Sequence, residues 1–458
     1  MKTMQKWVGI LGVLANLAGC GTKTTPPVTT TDAETADTGV TVDAGGGTEG
    51  VVKTPASWVS DPAQTPKSIH MTWQHDPATT VTVQWTTAAT SLEGYTPKVW
   101  LATAADAGKD GVDMAYWPTL TAAGSGEVYY QTISDVASDT PSYITWTVEV
   151  TGLKPGTDYV FRAGTWSGFA GGSFVAPNLS DVQHFRTAPA KGSQEPFTVV
   201  LAGDSRGGTD KIRLNGERLG KIDANFWIFN GDFNEVGVQE QWDDWFDAMK
   251  PILSQRPLMP VQGNHEIFSP TYYGQFALPN IAGVPDAYKE HAWSMTYGNV
   301  HFVGLDSLSD AAAQDQAPWL DADLQAARAD KDVDWIVVMM HHAAYSSSNH
   351  GSTDWVIKNW VPLFEKYDVD LVFSGHDHDY ERSFPWRGEK KADKGPVYVV
   401  AGGFYADGYG NGKSAWTATS TSGAKSNYVV TTFAGKKVSF IAYSGDGSEK
   451  LDTYAIQK

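Results

Sequence analysis

The spacing of apolar residues changes character once along this chain. Between about 55 and 189 it has period two. Ile69-His70-Met71-Thr72-Trp73 and Val81-Thr82-Val83-Gln84-Trp85 alternate apolar and polar residues, with Asp76-Pro77 as turn residues between them. Val99 to Ala102, Val128 to Ile133, Ile144 to Val150, Val160 to Ala163 and His184 to Thr187 continue the series. This rhythm predicts an all-β sandwich whose Trp, Tyr and Phe residues are core and not an exposed binding platform. After a short polar linker at 190–196, continuous apolar runs alternate with amphipathic stretches, the pattern of an α/β sandwich. Strands are expected at 197–202, 225–230, 257–261, 300–305, 334–340, 370–373 and 396–401. Helices are expected over Lys211–Ile222, Gln239–Lys250, Pro318–Asp330 and Thr353–Tyr367. Three strands, Tyr428–Phe433, Val438–Tyr443 and Leu451–Ile456, are expected to close the chain as an antiparallel set.

Before residue 55 neither rhythm is present. Lys2 and Lys6 precede a short apolar stretch, Trp7 to Ala18, which ends in Leu17-Ala18-Gly19-Cys20. The stretch is too short for a good transmembrane span, and its ending resembles a bacterial lipoprotein signal, cleaved before Cys20 with a lipid placed on the thiol. Gly21, in place of Asp, resembles the address of cargo passed to the outer membrane. Residues 1–19 are thus expected to be a signal peptide, and 20–54, rich in Thr, Gly, Pro and Asp, a flexible tether. Cys20 is the only cysteine of 458 residues, so no disulfide staples the mature chain.

Composition narrows the chemistry. The formal charge of −18 gives no basic face for nucleic acid, and an acidic surface repels anionic substrates at long range. A phosphate site on this chain would therefore need its own local positive charge.

Five clusters lie where an expected strand gives way to a loop. They are Gly203-Asp204-Ser205-Arg206 after FTVVLA, Gly231-Asp232-Phe233-Asn234-Glu235 after FWIFN, Gly263-Asn264-His265-Glu266 after PLMPVQ, His341-His342 after WIVVMM, and Gly375-His376-Asp377-His378 after LVFS. Carboxylates, an amide oxygen and imidazoles form a metal-ligand set, and one parallel or mixed sheet would present all five at the same edge. In a two-metal centre Asp232 is the natural bridging carboxylate. Asp204 and His378 complete one ion's protein ligands; Asn264, His341 and His376 complete the other's. Of the adjacent pair, His341 is expected to be the ligand, with His342 exposed on the opposite side of an extended segment. His70, His75, His184, His291 and His301 lack ligand-spaced partners and are expected to be structural.

The set resembles the calcineurin-like metallophosphoesterase superfamily. The N-terminal β domain and Gly375-His376-Asp377-His378-Asp379-Tyr380-Glu381-Arg382 are most similar to purple acid phosphatases. The resemblance implies a fibronectin type III-like sandwich over 55–189, with Tyr159 as its corner tyrosine, then a four-layer metallophosphoesterase sandwich over 195–458. It implies two metal ions (iron, manganese or zinc) and hydrolysis of a small phosphate ester, most simply a monoester, by hydroxide held between them. Phosphodiesterase action on a nucleotide or phospholipid is the catalytic alternative; a degenerate, lipid-anchored scaffold is the non-catalytic one. His265 and His350 match histidines that contact phosphate or protonate the leaving group. Two positions depart from the pattern. Glu235 stands where the purple enzymes have an iron-ligating tyrosine, and is expected to be a direct or water-bridged ligand. Arg206 stands where many superfamily members have a histidine, and is expected to contact phosphate or to form a salt bridge with Glu235 or another acid.

Overall fold

Two antiparallel sheets form the N-terminal domain of the computed structural model. One orders Lys67–Thr72, Val81–Thr87, Val136–Val150 and Ser125–Ile133; the other orders Gln183–Arg186, Asp158–Trp166 and Thr96–Thr103. The structure describes residues 61–458 apart from 89–90, 108–124, 134–135, 167–168, 171–172, 175–177, 207, 267–270, 405–407 and 422–425, so the expected signal, Cys20 and tether lie outside it. Met71, Val83, Trp85, Ile144 and Trp146 of one sheet meet Val99, Leu101, Tyr159, Phe161 and Phe185 of the other in one core. The Tyr159 hydroxyl accepts from the Lys154 N–H at 2.9 Å, tying the turn before its strand back onto it.

In Val81–Thr87 the polar half of the period-two pattern does not face water. Every residue of Val81–Thr87 is buried, because the second domain covers that face. His70 Nε2 lies 2.5 Å from the Gln275 carbonyl oxygen, and its ring stacks on Phe246 at 4.6 Å. The Thr72 hydroxyl donates to the Ala277 carbonyl (2.6 Å), and the Ala277 N–H donates to Gln84 Oε1 (2.5 Å). Trp73, next along the strand, enters the core of the second domain against Phe226 and Tyr297. An alternating strand announces that one face is polar; what satisfies that face is here another part of the chain.

The second domain has two facing sheets. The first orders Leu258–Pro260, Phe226–Phe229, Phe197–Ala202, Asn427–Ala434, Lys437–Ser444 and Lys450–Gln457, of which the first three are parallel and the last three form the antiparallel closing set. The second orders Trp293–Tyr297, Val300–Leu305, Trp335–Met340, Leu371–Ser374, Val397–Ala401, Tyr380–Ser383 and Thr417–Ser420, with a parallel centre. Phe302 against Phe433 and Phe373 against Phe440 join the sheets. Helices Thr209–Leu219 and Gln239–Leu253 back the first sheet. Asp310–Ala329, Asp354–Asn359 and Val361–Lys366 back the second, where Leu320, Leu324, Trp360 and Phe364 pack with Ile336, Val338 and Met340. The architecture is the four-layer sandwich.

Three expectations need correction. The five clusters do not share one sheet: three leave the parallel strands of the first sheet and two leave the second, and they meet across the edge where both sets of strands end. Helix Asp310–Ala329 begins well before Pro318, because Ser309 caps it by accepting the Ala312 N–H at 3.1 Å and an alanine-rich turn follows. The single helix expected over Thr353–Tyr367 is two, broken at Trp360, because Pro362 has no N–H to continue the ladder. The edge strand Trp293–Tyr297 had no counterpart in the apolar pattern.

The hydrogen-bonded and apolar contact between the domains predicts one cooperative unfolding transition in urea. His70→Ala is expected to lower stability by about 2–3 kcal/mol through the lost hydrogen bonds and ring packing. Two resolved transitions in the unmutated chain would contradict the shared core.

Candidate metal centre

The chain reaches the site through bends of unusual backbone. Asp204, Asp232 and His376 all have positive φ (60°, 54° and 68°), a region that Asp and His enter more readily than most non-glycine residues, at a cost of about 1 kcal/mol each. Each bend lies just past the end of its strand and carries a residue of the ligand groups. Close approach is possible because of neighbouring glycines. A Cβ on Gly375 would run into Asp204 Oδ2, and one on Gly402 would strike the Asp377 carbonyl oxygen, so Gly402 is a packing contact and not only a turn.

Two groups of ligand atoms result, each with all its atoms within 4.8 Å of one another. One is Asp232, His341 and His376; the other is Asp204, Asp232 and His378. Asp232 belongs to both. Asn264 joins the first, its Oδ1 3.0 Å from His341 Nε2. His341 Nδ1 is 2.7 Å from the Asn230 carbonyl oxygen, so that nitrogen carries the proton and Nε2 keeps its lone pair toward the site. His376 Nδ1 faces that Nε2 at 3.2 Å.

The electrostatics explain why such a group calls for cations. Asp204, Asp232 and Glu266 are all buried, with Arg206 beside them. Burial and the nearby Asp232 push the Asp204 carboxyl well above its usual range. For Asp232, burial is outweighed by His341, His265 and Arg206, which hold it below that range. Burial also lowers His341 and His376, leaving neutral imidazoles of the kind that bind metals. Buried carboxylates and neutral imidazoles converging in two groups fit two ions, and two ions would offset a charge that is costly without them.

Other expected residues fall as follows. The His265 N–H donates to Asp232 Oδ1 (3.0 Å), while its ring Nδ1 lies 2.6 Å from the Glu235 carbonyl oxygen and its Nε2 3.9 Å from Asp232 Oδ2. The His350 ring stacks on His376 at 4.1 Å. The Arg206 guanidinium lies 3.4 Å from Asp232 Oδ2, 3.2 Å from His378 Nε2 and 3.5 Å from Glu235 Oε1. The Glu235 side chain is 60% exposed, lies on Arg206 and belongs to neither of the two ligand groups. The expectation for His342 is corrected. It is buried, its ring tilted against His376 at 4.3 Å and 3.3 Å from Ser307 Oγ, because the chain leaves its extended path directly after Met340.

Several residues of the site carried no sequence signal of their role. The Glu266 carboxylate accepts three backbone N–H groups, from Asp232, Phe233 and Gly263, each at 2.8 Å, and so locks the second cluster to the third. Burial and Asp232 push its carboxyl up to about 8, against the pull of those three donors. Trp245 donates to Ser205 Oγ (3.0 Å), which donates to the Phe233 carbonyl (2.8 Å), steadying the chain beside Asp204. Tyr409 stacks on His378 at 4.2 Å, nearly parallel to it.

Comparison with known proteins agrees with this architecture. Residues 66–187 match the purple acid phosphatase N-terminal domain, and residues 191–380 match the calcineurin-like phosphoesterase family. An uncharacterised protein of Mycobacterium tuberculosis is 31% identical over 305 residues, 56% of this chain and 56% of its own length. Purple acid phosphatase 15 of Arabidopsis thaliana is 32% identical over 291 residues, 56% of this chain and 52% of its own. The matches thus span about half the length of these curated relatives. Among solved structures, purple acid phosphatase from yellow lupin (Lupinus luteus) seeds shares the fold with a TM-score of 0.71 at 19% identity, over 86% of this chain and 74% of that one. PhoD does so with a TM-score of 0.59 at 14% identity, over 87% of this chain and 92% of its own.

The shared position of Asp232 predicts unequal losses of metal. With about two ions per chain in the unmutated protein, Asp204→Ala is expected to retain one and Asp232→Ala to retain neither, by elemental mass spectrometry. Glu235→Ala is expected to keep both; loss of an ion there would return Glu235 to the ligand set.

Proposed function

We propose that this chain, which joins a calcineurin-like phosphoesterase domain to a purple acid phosphatase N-terminal domain, hydrolyses phosphate monoesters at a dinuclear metal centre. The observation that carries this reading is the single carboxylate, Asp232, common to two converging ligand groups. Asp204 and His378 would hold one ion with it; Asn264, His341 and His376 would hold the other. When bound, the ions would supply charge neutralisation for the phosphoryl oxygens and acidify an attacking water.

The chain's own residues divide the remaining work. Arg206, with its side chain 15% exposed and its guanidinium beside Asp232, is suited to receive a phosphoryl oxygen while Glu235 orients it from outside. His265, fixed at its backbone by Asp232, and His350, over His376, stand where an imidazolium can give a proton to the departing oxygen. Glu266 holds two ligand loops in register without touching substrate.

For the N-terminal part we propose a fibronectin type III-like sandwich, supported by the Tyr159 corner, with domain limits at 55–189 and 195–458. We also propose that Cys20 bears a lipid and the chain is anchored in a bacterial envelope, at the outer membrane, with 20–54 as the tether. The support is the sequence around Cys20. Radiolabelled palmitate is expected to enter the unmutated protein and not Cys20→Ser; equal labelling would refute the anchor.

Hydrolysis of aryl phosphate mono- and diesters by metal-reconstituted protein starting near residue 55 tests the central reading. Monoester cleavage is expected to exceed diester cleavage, and Asp232→Asn and His376→Ala to fall by at least about 10²-fold. Preferred diester cleavage would select the phosphodiesterase alternative. No cleavage with iron, manganese or zinc would select the scaffold.

A further inference from the structure

Asp377 lies between two ligand histidines in sequence, yet its carboxylate turns away from both groups. It is almost fully buried, 1% exposed, beneath the loop that carries His350. Its Oδ1 accepts the His350 N–H at 2.8 Å. Its Oδ2 accepts the Ser346 hydroxyl at 2.5 Å and the Gly351 N–H at 3.2 Å. The neighbouring Glu381 grips the same loop farther along, accepting the Ser347 N–H and hydroxyl at 2.7 and 2.8 Å. The result at the site is the His350 ring stacked on His376 at 4.1 Å and 5.4 Å from Tyr409.

Three donors converging on one buried carboxylate make a rigid anchor, since each bond lost would leave a buried polar group unmet. The anchored atom on the loop is the backbone nitrogen of His350 itself. The other end of the anchor is the peptide linking His376 to His378. One residue therefore sets the distance between the metal-ligand loop and the imidazole above it.

We propose that Asp377 is the positioning residue for His350, holding that imidazole in register with the phosphorus bound between the two ligand groups so that it protonates the departing oxygen. This rests on the phosphoester-hydrolase reading. In the step concerned, the water oxygen bonds to phosphorus, the bond from phosphorus to the ester oxygen breaks, and the His350 proton passes to that oxygen. The proton shed by the attacking water returns to His350 through solvent. Asp377 touches neither substrate nor metal in this scheme and itself transfers no proton.

Dependence on the leaving group separates this role from a general structural one. A 4-nitrophenolate leaves with little help from an acid, whereas an unactivated phenolate or alkoxide needs a proton. Asp377→Ala is expected to keep the metal content of the unmutated protein. It should lose less than about 5-fold in kcat/KM on 4-nitrophenyl phosphate and at least about 30-fold on phenyl phosphate. Asp377→Asn, which keeps one acceptor oxygen, is expected to lie between. The double variant Asp377→Ala/His350→Ala should be no worse than His350→Ala alone, since both act through one imidazole. Equal losses on the two esters, loss of metal, or additive losses in the double variant would overturn the proposal. Should Asp377→Ala fail to fold, Asp377→Asn and Ser346→Ala carry the same comparison: a larger loss on phenyl phosphate supports the anchor, and equal losses refute it. Unmutated protein holding two ions but cleaving neither ester overturns the hydrolase reading, and this proposal with it, before any variant is compared.

Discussion

Three buried carboxylates, Asp204, Asp232 and Glu266, gathered at one edge of two sheets are the constraint on which the rest of the structure depends. An ionised carboxylate is expensive to remove from water unless it is met by opposite charge or by hydrogen-bond donors. Glu266 draws on three backbone N–H groups, and that is why two loops from different strands are tied together there. Asp204 and Asp232 do not have enough such donors. Arg206 and the surrounding imidazoles compensate in part, and the two ligand groups provide for the remainder by being able to take cations.

The scaffold supplies the rigidity this charge cluster demands. Ligands arrive from the ends of parallel strands in two different sheets, so their separation is set by how the sheets pack, through contacts such as Phe302 with Phe433. Helix Gln239–Leu253 then supports the first sheet's loops through Trp245 and Ser205. The N-terminal sandwich bears on the segment following the third cluster through Gln84 and Thr72, both bonded to Ala277, and on the strand before the second cluster through Trp73 against Phe226. A β domain that touches no ligand thereby helps to fix the loop carrying Asn264.

Much of this was legible in the order of residues because strand ends are local events. An apolar run that ends in a short cluster of Asp, Asn or His marks both the strand and what it presents, and the six residues so marked are the ones the structure gathers. Sheet membership was not legible. Which strands pair is decided by contacts far apart in sequence, and a run such as WIVVMM reads the same in either sheet. Glu266 and Asp377 escaped notice for another reason: all of Glu266's named partners and two of Asp377's three are backbone N–H groups, which every residue but proline has, so no side-chain pattern reveals them. Glu235 stands where the resemblance places a ligand, while its own carboxylate is largely exposed and lies on Arg206.

The left-handed backbone at Asp204, Asp232 and His376 sets chemistry and durability against each other. At each of these positions a glycine would relieve the bend, and at Asp204 an asparagine would also discharge an acid that burial disfavours. The apo protein would thus grow sturdier by the same substitutions that dismantle its ligand set. A lineage released from the need for metal would drift toward those residues, and would keep the four-layer sandwich intact as it did so. Asp, Asp and His thus occupy bends where folding alone would favour other residues.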